Sequence, residues 1–279
     1  MSKGEPNASM RASWLVLVLG GGDLGTGVTH RLSRCGFQVI VAELAQPTAV
    51  RRTVAFASAV YEGEVEVEGI RSALAADADE AKRLLDRGLV PVVVSGSQGL
   101  RPLISPDIIV DARMAKRNLG TCLGDASIVI GLGPGFTAGR DVHAVVETNR
   151  GHNLGRVILA GTAEPNTGIP SHVQGHAHDR VLWSPCNGTF QAVLSIGDLV
   201  TEGQQVASIS GVAVSAPIRG VVRGLAHDGL VVQEGQKVGD IDPRGVREHC
   251  FTISDKARAV AGGVIEAILF LQRHLAAPD

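Results

Sequence analysis

The chain has 279 residues, 44% of them hydrophobic but only 3% aromatic, and a formal net charge of −2. That length admits two domains with cores of Val, Leu, Ile and Ala, while near-neutrality without a basic block argues against a nucleic-acid surface. Four widely spaced cysteines form no C-x-x-C pair and read as reduced thiols of a cytoplasmic protein; the apolar windows are broken by glycine and charge, which argues against a membrane span.

Met1 to Ser13 is polar, carries no secretory apolar segment and is expected as a flexible tail, residues 1–13. Leu15 to Leu19 is an apolar run suited to a strand buried on both faces. Gly20, Gly22 and Gly25 follow at G-x-G-x-x-G spacing, then Val28, Leu32 and Cys35 on one helical face, and a second run, Gln38 to Ala42, that ends at Glu43. Glycines at such a turn let a pyrophosphate approach the backbone, and the helix start offers it free N–H groups. Glu43 lies where an acid would bond a ribose hydroxyl. Gly20, Gly22, Asp23, Leu24, Gly25 and Glu43 are therefore candidate cofactor-binding residues; the alternative is a turn needed only for tight helix–strand packing.

Ala49 to Ala59 reads as a helix that brings Arg51 and Arg52 toward the cofactor side or onto a plain surface face. Glu62 to Ile70 alternates Glu and Val as one half-exposed strand. Asp77 to Arg87 is an amphipathic helix stopped by Gly88, and Leu89 to Val94 another β-rich run before the loop Ser95 to Gly99. Leu103 to Val110 leads to a polar segment in which Asp111, Arg113 and Lys116 could line the rim of an open α/β sheet, with Asp111 as a plain helix cap the equal alternative. Ser127 to Ile130 runs into a second glycine-rich loop, where Gly131, Gly133, Gly135, Arg140, Asp141 and His143 are candidates for an anion site or a structural turn. His172, His176 and His178 are weak metal candidates, since no H-E-x-x-H and no nearby cysteine supports them; no metal is expected.

From Val181 the texture changes to short β runs. Shifting this region by 32 residues aligns Gly188, Gly197, Val200, Glu202, Gly203, Gln204, Val206 and Ile209 with Gly220, Gly229, Val232, Glu234, Gly235, Gln236, Val238 and Ile241. Two such halves are too small to fold alone but suffice for one interleaved core. The repeat resembles biotinyl and lipoyl domains, which implies a barrel-sandwich hybrid. Those domains carry their cofactor on a lysine, and no lysine occurs between Lys116 and Lys237, so no covalent biotin or lipoate is expected. Ser254 to His274 reads as a helix capped by Ser254 or Asp255 and weakened by Gly262-Gly263.

The expected fold class is α/β. A Rossmann-like parallel-sheet nucleotide-binding domain with its loop extension spans 14–180, and a small all-β barrel-sandwich hybrid domain spans 181–245. A C-terminal segment, 246–279, packs its helix on the first domain or on a partner subunit.

Taken together, Gly20 to Gly27, the Gly131 to Phe136 loop with Asp141 and His143, the repeat, and Ile253 to Gly263 resemble the YqeB family. That family is named for selenium-dependent molybdenum hydroxylase maturation, or molybdenum cofactor biosynthesis. The chain is also distantly similar to XdhC-type accessory proteins. The resemblance implies a maturation factor that binds a dinucleotide, NAD(P) or molybdopterin dinucleotide, and partners a molybdenum hydroxylase or its maturation proteins; a homo-oligomer is compatible with it. It supplies no catalytic residues. An NAD(P)-dependent oxidoreductase and a non-catalytic nucleotide-binding sensor or scaffold are the alternative functions, so whether the chain is an enzyme stays open.

Overall fold

The computed structural model describes residues 14–94, 104–166, 168 and 172–275. The tail expected at 1–13 and the loop expected at Ser95 to Gly99 lie outside the described residues.

The chain is built on β1 (Leu15–Leu19), four of whose five side chains are buried. Parallel neighbours flank it on both sides, β2 (Gln38–Glu43) and β6 (Ile108–Asp111), with Leu17 opposite Ile40 and Ile109. The remaining strands are β3 (Glu64–Val67), β4 (Ile70–Ala75), β5 (Val90–Val94), β7 (Ile128–Leu132), β9 (Ala144–Val146) and β10 (Val157–Ile158). They extend the sheet to nine strands in the order β10-β9-β7-β6-β1-β2-β5-β4-β3, while β8 (Thr137–Ala138) and β11 (Gly161–Thr162) form a separate antiparallel pair. The continuous apolar runs follow from burial on both faces. One face carries α1 (Asp23–Arg34) and α4 (Asp255–Leu275), where Val16, Val28 and Leu32 meet Ala257, Val260 and Val264. The other carries α3 (Ala78–Asp86), with Leu17 and Leu19 in one apolar cluster with Ala81, Leu84 and Phe136.

This corrects the expected fold class. The sheet is mixed, not parallel: β3 pairs with β4 and β10 with β9 in antiparallel sense. The link from β6 to β7 contains only a three-residue 3-10 turn, Leu123–Asp125, where a doubly wound fold would place a crossover helix. The face left open is covered instead by α4, from the far end of the chain. Two local expectations change as well. Glu62 to Ile70 is not one strand, because Glu68 and Gly69 (φ 45° and 83°) turn the chain back as a β3–β4 hairpin. Ala49 to Ala59 is not one helix. It forms 3-10 turns at Arg52–Val54 and Phe56–Ser58 before α2 (Ala59–Glu62), because Val50 spends its carbonyl on Leu225 N, 2.8 Å away.

Residues 181–242 form two four-stranded antiparallel sheets. One runs β12 (Val181–Trp183), β19 (Lys237–Asp242), β17 (Gly220–Leu225), β14 (Leu199–Val200). The other runs β16 (Val212–Ser215), β15 (Gln205–Ile209), β13 (Gly188–Ala192), β18 (Val231–Val232). The 32-residue shift carries each sheet onto the other, and each repeat lends a strand to its neighbour's sheet. The equivalent pairs Val206/Val238 and Ile209/Ile241 are all fully buried in the shared core. This module is lashed to the large sheet: Leu225 N donates to Val50 O, Arg52 Nε donates to Leu225 O (2.9 Å), and Thr53 Oγ1 donates to Cys250 O (2.6 Å). The expected pairing of a Rossmann-like domain with a separate biotinyl/lipoyl-type barrel-sandwich hybrid therefore gives way to a mixed α/β fold with one large mixed sheet.

Helix α4 is capped by Ser254, whose Oγ accepts from Ala257 N (3.1 Å). Its glycine at 263 is a packing requirement: a Cβ there would lie 2.2 Å from Gly155 O. A Cβ on Gly27 of α1 would likewise lie 2.8 Å from Ala257 Cβ, so α1 and α4 approach closely near their N-terminal ends. Among the described residues no helix is long and apolar enough to cross a membrane.

Candidate functional site

The glycine loop between β1 and α1 divides its labour. Gly20 (φ 94°) donates its N–H to Ala42 O at 2.8 Å, and a Cβ on it would press on the Ala112 backbone at 3.1 Å. Gly25 permits close contact, since a Cβ there would sit 1.9 Å from Gly20 O. Gly22 differs: a Cβ would meet nothing within 4 Å. It caps α1 without a side chain, and the first intrahelical bond is Thr26 N to Gly22 O at 2.8 Å. The N–H groups of the first turn are thus left without intrahelical partners at the mouth of the loop. Thr26 pins the loop from below, its Oγ1 donating to Gly21 O (2.9 Å) and accepting from Phe56 N (2.8 Å).

Glu43, at the end of β2, turns back onto the loop. Oε2 accepts from Gly21 N at 2.7 Å and Oε1 from Leu44 N at 2.8 Å. Two backbone donors fix the carboxylate and leave further lone pairs on each oxygen.

These residues line one side of a cleft of about 1290 Å³ that runs between the large sheet, the repeat module and the start of α4. Among the described residues its wall carries seven cationic side chains against three carboxylates, in a chain of net charge −2. Six of the cations are tied to acids. Arg51, buried, bonds Asp23 (2.8 Å) and also the carbonyls of His249 and Thr252 (3.0 Å each). Arg113 bonds Asp111, and Arg150 grips Asp255 through two bonds of 2.7 and 2.8 Å. Arg180 and Lys237 share Asp240, and Arg223 meets Asp242 at 3.1 Å. The Arg150 bonds pull the Asp255 carboxyl well below the usual carboxylate range. Burial would raise Asp240, but Lys237, Arg180 and Arg223 outweigh it and hold the group below its ordinary value. The seventh cation is Lys256, half-buried in the first turn of α4. Burial, and then Arg150, depress its ammonium.

The other candidates from the sequence are distributed differently. Arg113 reaches the cleft, but Asp111 lies beneath it. Only 1% exposed, Asp111 accepts Arg113 Nε (3.0 Å) and Thr121 Oγ1 (2.7 Å) and so braces the arginine. Lys116 is exposed and off the wall. None of Gly131, Gly133, Gly135, Arg140, Asp141 and His143 lines the cleft. Gly131 packs against the Phe136 ring, Gly133 against Thr148 and Gly135 against the Arg117 backbone. Arg140 pairs with Asp141, while His143 Nδ1 accepts from Val129 N (3.0 Å) and burial pushes its imidazole pKa below the ordinary value. His172 is exposed, His176 bonds Asp179, and His178 stacks on Trp183 at 4.9 Å. Among the described residues no three His, Cys, Asp or Glu side chains converge as a metal site requires.

Sequence reasoning missed Arg150, Arg180, Arg223, Lys237, Asp240 and Lys256. One signal was available: Arg223 interrupts the buried strand Gly220–Leu225, where an arginine needs a reason.

No family model matches the chain. It is 49% identical over 260 residues to the uncharacterized protein YqeB of Escherichia coli K12, an alignment covering 93% of this chain and 48% of that protein. The chain spans about half the length of the curated relative it matches. Similar solved structures include the product-bound ectoine utilization protein EutE (DoeB) of Ruegeria pomeroyi (13% identity, TM-score 0.26) and an aspartoacylase family protein of Mesorhizobium loti (11% identity, TM-score 0.29). Each alignment covers 83% of this chain and 86% of the other.

These comparisons correct the expected resemblance. The relative carries no characterised role, and the similar structures are not XdhC-type accessory proteins. The labels of molybdenum cofactor biosynthesis and selenium-dependent hydroxylase maturation, and of a Rossmann nucleotide-binding protein, therefore do not carry over from family likeness.

Proposed function

We propose that the chain is a binding protein for a pyrophosphate-bearing small molecule of the dinucleotide class, seated in the cleft with its phosphates on the Gly20–Gly25 loop. The observation that carries this reading is the pairing of an open Gly22 at the start of α1 with a Glu43 carboxylate fixed by Gly21 N and Leu44 N. The loop offers N–H donors to an anion, and Glu43 offers acceptors to a sugar hydroxyl. The cationic wall supports it, since positive potential in a cleft concentrates anions. The four free cysteines support residence in the cytoplasm.

The test is mass spectrometry of small molecules released from protein purified natively from its own host. Recovery of a molybdopterin dinucleotide supports a cofactor-holding accessory role. Recovery of NAD(P), with turnover of a reducible substrate, supports an oxidoreductase. Recovery of a ligand without phosphate overturns the proposal.

A further inference from the structure

Lys256 differs from every other cation on the cleft wall. Arg51, Arg113, Arg150, Arg180, Arg223 and Lys237 each sit against a carboxylate. The Lys256 ammonium makes no hydrogen bond or ion pair among the described residues, although the side chain is half-buried. It also occupies the first turn of a 21-residue helix, where the dipole is positive and a lysine is disfavoured. Lys256 lines the same cleft as Gly20, Gly22 and Asp23, and the charges that act on it are Arg150, Asp23, Glu147 and Asp255. Asp23 is the first residue of α1, at the glycine loop, and α1 and α4 touch through Gly27 and Ala257. The ammonium therefore stands close to where the open loop would receive an anion.

A second observation points the same way. Arg51, only 7% exposed and on the same wall, leaves its Nε without a partner while its other nitrogens bond Asp23 and the chain entering α4. The Arg51 guanidinium is ion-paired with Asp23 yet keeps one N–H donor unused on the wall that Lys256 shares. An ammonium that lines the cleft without an ion-pair partner is free to meet the counter-charge of a ligand.

We propose that Lys256 clamps the phosphates of the ligand seated on the Gly20–Gly25 loop, so that the C-terminal helix completes a phosphate site begun by the N-terminal one. The inference rests on the proposed function. It makes the site two-sided, with backbone N–H groups of α1 on one side and the ammonium on the other. It also makes ligand binding dependent on α4, which lies more than two hundred residues further along the chain than the loop.

The test compares wild type, Lys256→Met and Lys256→Arg by calorimetric titration with ADP-ribose and, separately, inorganic pyrophosphate. Lys256→Met should weaken both probes by about tenfold or more, as loss of a charge-assisted bond does. Lys256→Arg should recover most of that loss, and the melting temperature of ligand-free Lys256→Met should not fall below wild type. Wild-type affinity in Lys256→Met, or a lowered melting temperature that Lys256→Arg does not restore, overturns the clamp while leaving the phosphate-binding loop standing. Failure of wild type to bind either probe overturns the underlying reading, and the clamp with it.

Discussion

Glu43 and Gly21 are joined by a 2.7 Å hydrogen bond from the backbone N–H of the glycine loop to Oε2 of the acid. The acid at the end of β2 and the loop at the end of β1 thus form one rigid unit. Replacing Glu43 with Gln keeps the shape but leaves only one of the two backbone bonds, because the amide nitrogen cannot accept. Glu43→Gln should lose about 1 kcal/mol of stability, read as a lower urea midpoint. It should also bind ADP-ribose more weakly, because a neutral amide is a poorer acceptor for sugar hydroxyls.

The glycines of the loop should respond oppositely to alanine. At Gly25 a Cβ would overlap Gly20 O at 1.9 Å, so Gly25→Ala should destabilise the protein by several kcal/mol, on the order of 3. At Gly22 nothing lies within 4 Å and φ is −70°, so Gly22→Ala should melt within about 0.5 kcal/mol of wild type. Its added methyl lies in the path of an approaching phosphate, and ADP-ribose affinity should drop by about tenfold. Thermal melts and titrations of both variants check the pair.

Adjacent glycines in α4 make a second contrast. Gly262 has open space around its Cβ position, so Gly262→Ala should gain about 0.5–1 kcal/mol from helix propensity. Gly263→Ala should lose about 1–3 kcal/mol despite the same propensity gain, because Gly155 O stands 2.2 Å from the new atom. Urea unfolding of the two variants separates propensity from close approach.

Burial alone would raise the pKa of Asp242, whose side chain is 0% exposed, but hydrogen bonds from Arg244 and the charge of Arg223 hold it below the ordinary carboxylate value. A depressed folded value means the contribution to stability is complete above the unfolded pKa, about 4, and is lost as pH falls through the folded value. Wild type should therefore lose stability steadily below about pH 4. Asp242→Asn should be destabilised by about 3 kcal/mol at pH 7, with two arginines left unpaired, and should show a shallower acid slope. Urea midpoints at pH 7 and in acid measure both.

The parts of the fold legible in the sequence were those written in short-range pattern. Leu15 to Leu19 could only be a doubly buried strand, Asp77 is the cap of its helix (Oδ1 accepting Glu80 N at 2.8 Å), and the 32-residue repeat marks its own core through Val206/Val238 and Ile209/Ile241. The sheet's topology was not legible. Nothing local says that α4 returns to cover the face beside α1, because that contact is encoded by Gly27, Gly155 and Gly263, glycines that read in isolation as helix weakeners or turns. The cleft wall was hidden for the same reason. Arg150, Arg223 and Lys256 come from three regions of the chain and meet only after the strap from Val50 to Thr53 has drawn the repeat module against the sheet. The second glycine loop misled in the opposite way: Gly131, Gly133 and Gly135 serve close packing, which uses the same residue as an anion nest.

The most direct measurement of the central claim is calorimetric titration of ADP-ribose into wild type and Gly22→Ala side by side. Saturable binding at one ligand per chain, weakened about tenfold in a Gly22→Ala protein that melts like wild type, is the result the account predicts. Absence of binding to wild type, or equal affinity in the two proteins, would contradict it.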